Sequence, residues 1–435
     1  MSTSVALHLT EQARPEGGSK GMVCLLLAFV FCTEFIPSEP FLVDFFLTKG
    51  LSNRQVVDEI FDIWIYVRLP ALVLVGFLAE AFGSAPLLLA GAVCGFATVC
   101  MELFCNELAC LQATQLTVAI STAAHTGPLY ALLFDLATHT HARDWQRPVF
   151  NAKAMLLISN LAASITGSLM RHSLSLPYTC VWVLSCAAQL GSLLLAVALA
   201  IGQRRRRACE ARPSRRAWHW DLLRDVCASF WLRGVAEWTF WSLTMHTAHV
   251  LTTTFWQSLL RAKFHKRHDL NGYANAVAYA LGALAVIGLA RSSKLARQES
   301  RSWVIFASLL LVGCCVSAMG KAGSLWEVYL AYILLQVIFR ASSAVSTLQV
   351  GSELMRATGA EAERAHVSRI RSPRLAMVLS LTEAADSCMQ IAVETAFRTA
   401  GAQLLLPTRF WMIGSSVIVA AVIFAALQLV RPRPL

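Results

Sequence analysis

The chain has 435 residues, of which 56% are hydrophobic and 14% are charged. Soluble proteins are about 25% charged, and the mean hydropathy of this chain is +0.56. The balance excludes secreted miniproteins, fibrous proteins and nucleic-acid-binding domains, although the formal net charge is +11. The high hydrophobic content is typical of a polytopic membrane protein, because each membrane helix needs about 20 mostly apolar residues.

Long apolar runs separated by polar turns predict twelve membrane helices in two sets of six. The first set lies near residues 21–44, 60–82, 84–105, 108–137, 150–171 and 177–201. The second set lies near residues 226–258, 271–290, 302–320, 325–350, 373–397 and 408–430. Residues 202–224 are rich in arginine, which the hydrocarbon region excludes. We therefore predict an all-α polytopic membrane protein with an N-terminal half at 21–201, a basic linker at 202–224 and a C-terminal half at 225–430.

The distribution of basic residues predicts the orientation in the membrane. Short cytoplasmic loops collect Lys and Arg. If both termini, at 1–20 and 431–435, are cytoplasmic tails, the inside segments contain more Lys and Arg residues than the outside loops. The outside loop from Arg261 to Asp269 is more basic than this rule expects. Residues 1–20 are too polar for a cleaved signal peptide. The thirteen cysteines show no paired or metal-type spacing, so we expect no disulfide framework.

Ionisable residues at membrane depth are costly and usually face a cavity or a partner. The predicted helices contain Glu39, Arg68, Glu80, His125, Asp135, Lys153, His246, His249, Arg340, Glu383, Asp386 and Glu394. Their spread over both halves predicts a central aqueous cavity. Glu80, Asp135, Lys153 and Glu394 lie near helix ends, where contact with headgroups or a structural ion pair explains them.

Glu39 is the most informative of these residues. It lies between Pro37 and Pro40, which remove backbone donors and break regular helical hydrogen bonding. A broken helix that presents a carboxylate at membrane depth is typical of a ligand site in a transporter. The alternative interpretation is a kink stabilised by a buried ion pair.

Two further pairs stand at i and i+3 on one helix face. His246 and His249 suit metal binding or a proton relay, or hydrogen bonds to neighbouring helices. Glu383 and Asp386 place two carboxylates together, and Arg340 is a candidate to neutralise one of them. No HExxH, Walker or GxSxG motif is present, so we expect no enzyme, no metal and no cofactor.

Residues 37–69, PSEPFLVDFFLTKGLSNRQVVDEIFDIWIYVRL, resemble the first two helices of the reduced folate carrier and thiamine transporter family. The pattern of that family there is R-P-S/G-E-P/S-F-L/I, a loop ending in Q-V-T-N-E-I, and then W-x-Y-x-Y-L. Further stretches similar to family motifs are Trp145-Gln146-Arg147, Phe240-Trp241-Ser242-Leu243, Leu348-Gln349-Val350 and Arg374-Leu375-Ala376-Met377-Val378.

The resemblance implies a major-facilitator fold of two six-helix halves that works by alternating access. It further implies that Glu39 lies in the substrate cavity and that Trp64 is an aromatic wall residue. Gln390 matches the thiamine branch, and Thr253 aligns loosely with an asparagine of that branch. His125 departs from both branches, which carry arginine or glutamate there.

Charge ranks the candidate substrates. Folates carry two carboxylates and need cationic groups, whereas an organic cation needs carboxylate and aromatic faces. We predict uptake of thiamine or a thiamine-like cationic vitamin across the plasma membrane. The predicted substrate-binding residues are Glu39, Trp64, His125, Thr253, Glu383, Asp386 and Gln390.

The remaining partners are membrane lipid and either protons or exchanged anions, with His125, His246 and His249 as candidate proton-coupling residues. A carrier of reduced folate is the near alternative. A membrane receptor that does not transport, or a membrane-bound enzyme, is the alternative of another class.

Overall fold

In the part of the chain that the computed structural model describes, twelve long helices make up the fold. The residues described are 16–52, 55–138, 146–209, 224, 227–264, 270–291, 301–365, 372–399 and 405–430. The helices of the first half are α1 (Glu16–Glu34), α2 (Asp62–Phe82), α3 (Ser84–Phe104), α4 (Leu108–Thr138), α5 (Gln146–Ser168) and α6 (Tyr178–Cys209). Those of the second half are α7 (Arg233–Phe264), α8 (Asn271–Arg291), α9 (Arg301–Lys321), α10 (Leu325–Ala365), α11 (Ser372–Thr399) and α12 (Leu406–Val430).

The predicted all-α, two-times-six organisation is confirmed by these helices. Within the described ranges, ten spans are long and apolar enough to cross a membrane. The two long helices outside that set are α7 and α11. They are less apolar because they carry the predicted polar pairs, His246 with His249 and Glu383 with Asp386.

Several helix boundaries differ from the sequence prediction. Helix α7 begins at Arg233 and ends at Phe264, instead of running from 226 to 258. The first crossing breaks after Glu34 and continues as a 3-10 turn, Glu39–Phe41, and a short helix, Leu42–Thr48. Helix α6 continues into the predicted linker as far as Cys209; Arg204 and Arg205 are exposed there, and arginine is a good helix former. Helix α10 extends to Ala365, beyond its predicted end at residue 350. Residues 210–223 of the linker and both chain ends, 1–15 and 431–435, lie outside the described residues.

The two halves meet along α2 with α11 and along α5 with α8. Small residues permit this close approach, as is usual between membrane helices. A Cβ on Gly76 of α2 would lie 3.1 Å from the Cβ of Ser380 on α11. At the other interface, Leu157 of α5 is buried against Ala283 and Val286 of α8.

A lysine at the end of the first crossing of each half caps the third helix of that half. The ammonium group of Lys49 donates to backbone carbonyls at the end of α3, including those of Glu102 and Cys105. The ammonium group of Lys263 donates to the carbonyls of Gly320 at 2.6 Å and Ala322 at 2.8 Å, at the end of α9. Cations stabilise helix carboxyl termini. The repeated arrangement indicates that the two halves are built alike.

The expectation of no disulfide is wrong for one pair. Cys105 and Cys110 form a disulfide between the end of α3 and the start of α4. The two cysteines frame a tight turn between helices, a signal that a search for CxxC spacing misses. In the predicted orientation this turn faces the outside, where disulfides persist.

Helices α9 and α12 pack with almost no space between their backbones, which gives a stability prediction. A Cβ on Gly414 would lie 2.5 Å from the backbone nitrogen of Ser317. We expect Gly414→Val to lower stability by about 1–3 kcal/mol through overpacking. Thermal unfolding of the purified protein in detergent measures this change. Gly288→Val is the matched control, because no atom lies within 4 Å of the corresponding Cβ. Equal melting temperatures for the two variants would contradict the packing of α9 on α12.

Candidate functional site

The break in the first crossing presents Glu39 to solvent. Its neighbours Ser38, Pro40 and Phe41 are buried, whereas Glu39 is exposed. The backbone N–H of Ser38 donates to the hydroxyl of Ser185 on α6 at 3.2 Å. This contact with α6 helps to fix the break, and the Glu39 side chain is left exposed.

The break also depends on a glycine of α5. A Cβ on Gly167 would lie 2.4 Å from the carbonyl oxygen of Pro37. Only glycine permits this approach of backbone to backbone without displacement. The non-helical stretch before Glu39 is thus held between α5 and α6.

Glu34 is a second carboxylate at the break, and the sequence analysis missed it. Its Oε2 accepts a hydrogen bond from the side-chain amide of Asn160 on α5 at 3.0 Å. The signal available was a glutamate at the end of the apolar run CLLLAFVFCTE, five residues before Glu39. Its position beside the break places it next to Glu39, and the two carboxylates interact electrostatically.

Arg340 of α10 supplies the positive charge opposite these carboxylates. It interacts electrostatically with both Glu34 and Glu39. Its guanidinium lies 5.5 Å from the ring centre of Tyr279 on α8 and 5.6 Å from that of Phe339. This arrangement joins the first crossing of one half to α8 and α10 of the other half. Arg340 was predicted to neutralise a carboxylate of α11, whereas the structure places it near Glu34 and Glu39.

The α11 carboxylate Glu383 pairs with Arg68 of α2. The two side chains are 2.5 Å apart, and their exposed fractions are 22% and 7%. The Arg68 guanidinium also lies 5.1 Å from the ring centre of Trp64, one turn earlier on α2. The predicted wall residue Trp64 therefore supports an ion pair that joins the two halves.

Asp386 lies one turn beyond Glu383 and is completely buried. Its Oδ2 accepts a hydrogen bond from the hydroxyl of Ser242 on α7 at 3.0 Å and lies 3.6 Å from Nδ1 of His246. Glu383 and Asp386 thus share a helix face as predicted, but each has its own partners.

His249 hydrogen-bonds to α10. Its Nε2 is 3.0 Å from the Oε1 of Gln336, and its ring stacks on Phe339 with centroids 3.6 Å apart. The rings of His246 and His249 are 6.3 Å apart. Within the described ranges, no group of three or more His, Cys, Asp or Glu side chains is arranged to hold a metal ion. The interpretation of His249 as a hydrogen-bonding residue fits this geometry.

Three predicted residues lie apart from the charged groups just described. His125 packs edge-on against Phe29, with centroids 5.5 Å apart, and its Nε2 faces Gly91 of α3. The hydroxyl of Thr253 donates to the carbonyl of His249 on its own helix at 3.0 Å. Gln390 is fully buried, and neither of its amide atoms has a hydrogen-bond partner in the described part of the chain.

Glu394 and Lys153 were both predicted to be structural charges near helix ends, and the structure gives them different surroundings. Glu394 of α11 lies 3.7 Å from Arg409 of α12, which is a pair within one half. Lys153 of α5 lies 4.7 Å from the ring centre of Tyr130 and interacts electrostatically with Glu34. Lys153 therefore belongs with the charged groups around Glu34. The side chain of Glu80 lies outside the described residues.

Sequence comparisons identify relatives along most of the chain. The family model for the reduced folate carrier matches residues 19–207 and 202–360. A folate-like transporter of Dictyostelium discoideum is 25% identical over 92% of this chain, and the chain spans 65% of the length of that protein. Human thiamine transporter 1 is 22% identical over 76% of each chain.

A structural comparison agrees on the fold. The crystal structure of the human organic anion transporter MFSD10 (TETRAN) superimposes with a TM-score of 0.60 at 14% sequence identity, covering 94% of this chain and 100% of that one. At this identity the likeness concerns the fold alone.

Proposed function

The chain belongs to the reduced folate carrier family, and on that premise we propose that it is a transporter that takes up a vitamin across the plasma membrane by alternating access. The substrate proposed is thiamine or a thiamine-like organic cation. The observation that carries this proposal is the solvent-exposed carboxylate of Glu39, at a break held by α5 and α6 and opposite groups of the other half. Such a carboxylate suits the positive ring of a thiazolium.

Two groups of residues would hold the parts of such a substrate. Glu39 and Glu34 offer negative charge at the break, and Tyr279 and Phe339 offer ring faces beside Arg340. A cationic substrate would compete with Arg340 for the carboxylates, so its binding would change a contact between the halves. A ligand can shift a conformational equilibrium only through such differential contacts.

Reduced folate is the second candidate, and two cations near Glu34 favour it. Arg340 and Lys153 both interact with Glu34, and an anionic substrate could exchange with that carboxylate. Arginine and lysine are the groups that bind carboxylates of a ligand. The name of the Dictyostelium relative, folate-like transporter, points the same way.

A substrate panel separates these candidates. Cells that express the protein are supplied with labelled thiamine at an acidic and at a neutral pH, and unlabelled thiamine or a reduced folate is added as competitor. We expect saturable uptake that thiamine inhibits and folate does not. Inhibition by folate but not by thiamine analogues would reverse the assignment. Purified protein that binds vitamin but gives no flux in proteoliposomes would indicate a receptor instead.

A further inference from the structure

The carboxyl group of Asp386 is buried, and the described residues around it compensate its charge only in part. The side chain is fully buried at the middle of a membrane helix, where an uncompensated carboxylate charge is costly. One oxygen accepts the hydrogen bond from Ser242. The other oxygen, Oδ1, has no hydrogen-bond partner among the described residues.

The nearest permanent cation is already engaged. Arg68 of α2 holds Glu383 at 2.5 Å, and it acts on Asp386 only from further away. One guanidinium thus faces two carboxylates that are one helical turn apart. Charge balance at this place requires another positive charge or a proton on one of the carboxylates.

The other elements packed against α11 supply little compensation. Helix α4 contributes the alanines Ala123 and Ala131 beside Ala384, and its titratable His125 faces α3 instead. Helix α7 contributes His246. The side chains of Arg340 and Lys153 act electrostatically on His246 but are charged groups of the Glu34 and Glu39 site.

His246 is the partly exposed neighbour of the buried carboxylate. Its side chain is 19% exposed, whereas that of Asp386 is 0% exposed, and Nδ1 lies 3.6 Å from Oδ2. A partly exposed imidazole beside a buried carboxylate is a chemical arrangement that can pass a proton between the two.

We propose that Asp386 and His246 form the binding site of a proton that moves with each transport cycle. The inference rests on the proposed transport function and names the coupling ion, with Asp386 as the proton acceptor and His246 as the relay. The proton enters from water on one side, binds the carboxylate, and leaves to water on the other side.

Protonation of Asp386 changes the strength of the ion pair between the halves. When Asp386 loses its proton, its carboxylate becomes a second anion in reach of Arg68. Competition then weakens the pair of Arg68 with Glu383, which holds α2 against α11. When the proton returns, Arg68 is left to Glu383 alone. Protonation thus favours the conformation in which these two helices are joined.

The first test needs no vitamin. Infrared difference spectra of the purified protein in lipid nanodiscs, taken between acidic and neutral pH, report protonation of carboxyl groups. We expect a carboxyl band that disappears in Asp386→Asn and remains in Glu394→Gln, the matched carboxylate of the same helix that pairs within one half. An unchanged set of bands in Asp386→Asn would overturn the proposal.

The second test measures coupling in proteoliposomes with labelled thiamine as the probe. Asp386 was predicted to bind substrate, but it is completely buried, and the substrate groups proposed above are Glu34 and Glu39. In Asp386→Asn we therefore expect exchange of internal for external thiamine to persist, while accumulation driven by an imposed pH gradient is lost. Glu394→Gln is expected to keep both. Gradient-driven accumulation in Asp386→Asn would contradict the proposal.

Both tests include a safeguard against misfolding and separate the two proposals. If Asp386→Asn does not reach the membrane, His246→Gln is measured in its place, with the same loss of gradient-driven accumulation expected and its retention counting against the relay. A carboxyl band that depends on Asp386 in a protein without thiamine flux leaves the proton site standing and rejects the vitamin. Thiamine flux without that band does the reverse.

Discussion

Replacement of Glu39 with glutamine is expected to reduce labelled thiamine uptake by about ten- to a hundredfold at equal amounts of protein at the cell surface. The estimate follows from the loss of a charge-assisted contact, about 1.5–3 kcal/mol, with about 1.4 kcal/mol for each factor of ten. Glutamine keeps the size of the side chain, so the break and its contact with Ser185 remain. The change removes the charge and little else.

Two further variants make this result interpretable. Glu39→Asp keeps the charge on a shorter side chain, and we expect it to retain part of the uptake. Glu237→Gln is the matched control, because this buried carboxylate of α7 accepts a hydrogen bond from Gln428 on α12, at 3.1 Å and within one half. Normal uptake by Glu39→Gln, with normal expression, would remove Glu39 from the substrate site.

The helices and the break were predictable because their signals are local. Apolar runs of membrane length define the crossings, and the two prolines around Glu39 interrupt hydrogen bonding wherever the chain folds. The end of α6 was harder to predict. Arginine is excluded from the hydrocarbon region, which indicates the end of the crossing, but it also favours a helix, which continues beyond that point. Local composition therefore predicted the membrane crossing correctly but missed the extension of the helix into the linker.

The partners of the charged residues were not predictable in the same way. Arg68 and Glu383 are 315 positions apart, and nothing in either local sequence indicates that α2 lies along α11. Arg340 was paired with the α11 carboxylates on the basis of chain proximity, although α10 turns it toward Glu34 and Glu39. A pairing between halves is decided by helix packing, which a single sequence does not contain.

Glu34 shows a related limit. In the local sequence, a glutamate at the edge of a break cannot be distinguished from an ordinary charged residue at a helix end. Its significance comes from Asn160 on α5 and Arg340 on α10. Both are distant in the chain, and both come close only in the folded protein.

Exchange of the two charges between α2 and α11 is the second prediction with a large effect. Arg68→Glu alone places three carboxylates around one buried position, and Glu383→Arg alone places two guanidinium groups there. Loss of one partner of a buried ion pair costs about 3–5 kcal/mol. We expect either single variant to lose most of its thiamine uptake and to unfold at a lower temperature. The double variant Arg68→Glu/Glu383→Arg restores opposite charges and is expected to recover part of both.

The pair of Glu394 with Arg409 distinguishes an effect on transport from an effect on folding. It joins α11 to α12 within one half, at 3.7 Å, so it does not change partners when the halves move. The same charge exchange at this pair is expected to affect the melting temperature of the single variants but to leave uptake per folded molecule unchanged. At Arg68 and Glu383, uptake per folded molecule should fall in the single variants and rise again in the double variant. A double variant no better than the single ones would show that the contact of Arg68 with Glu383 does not join the halves during transport.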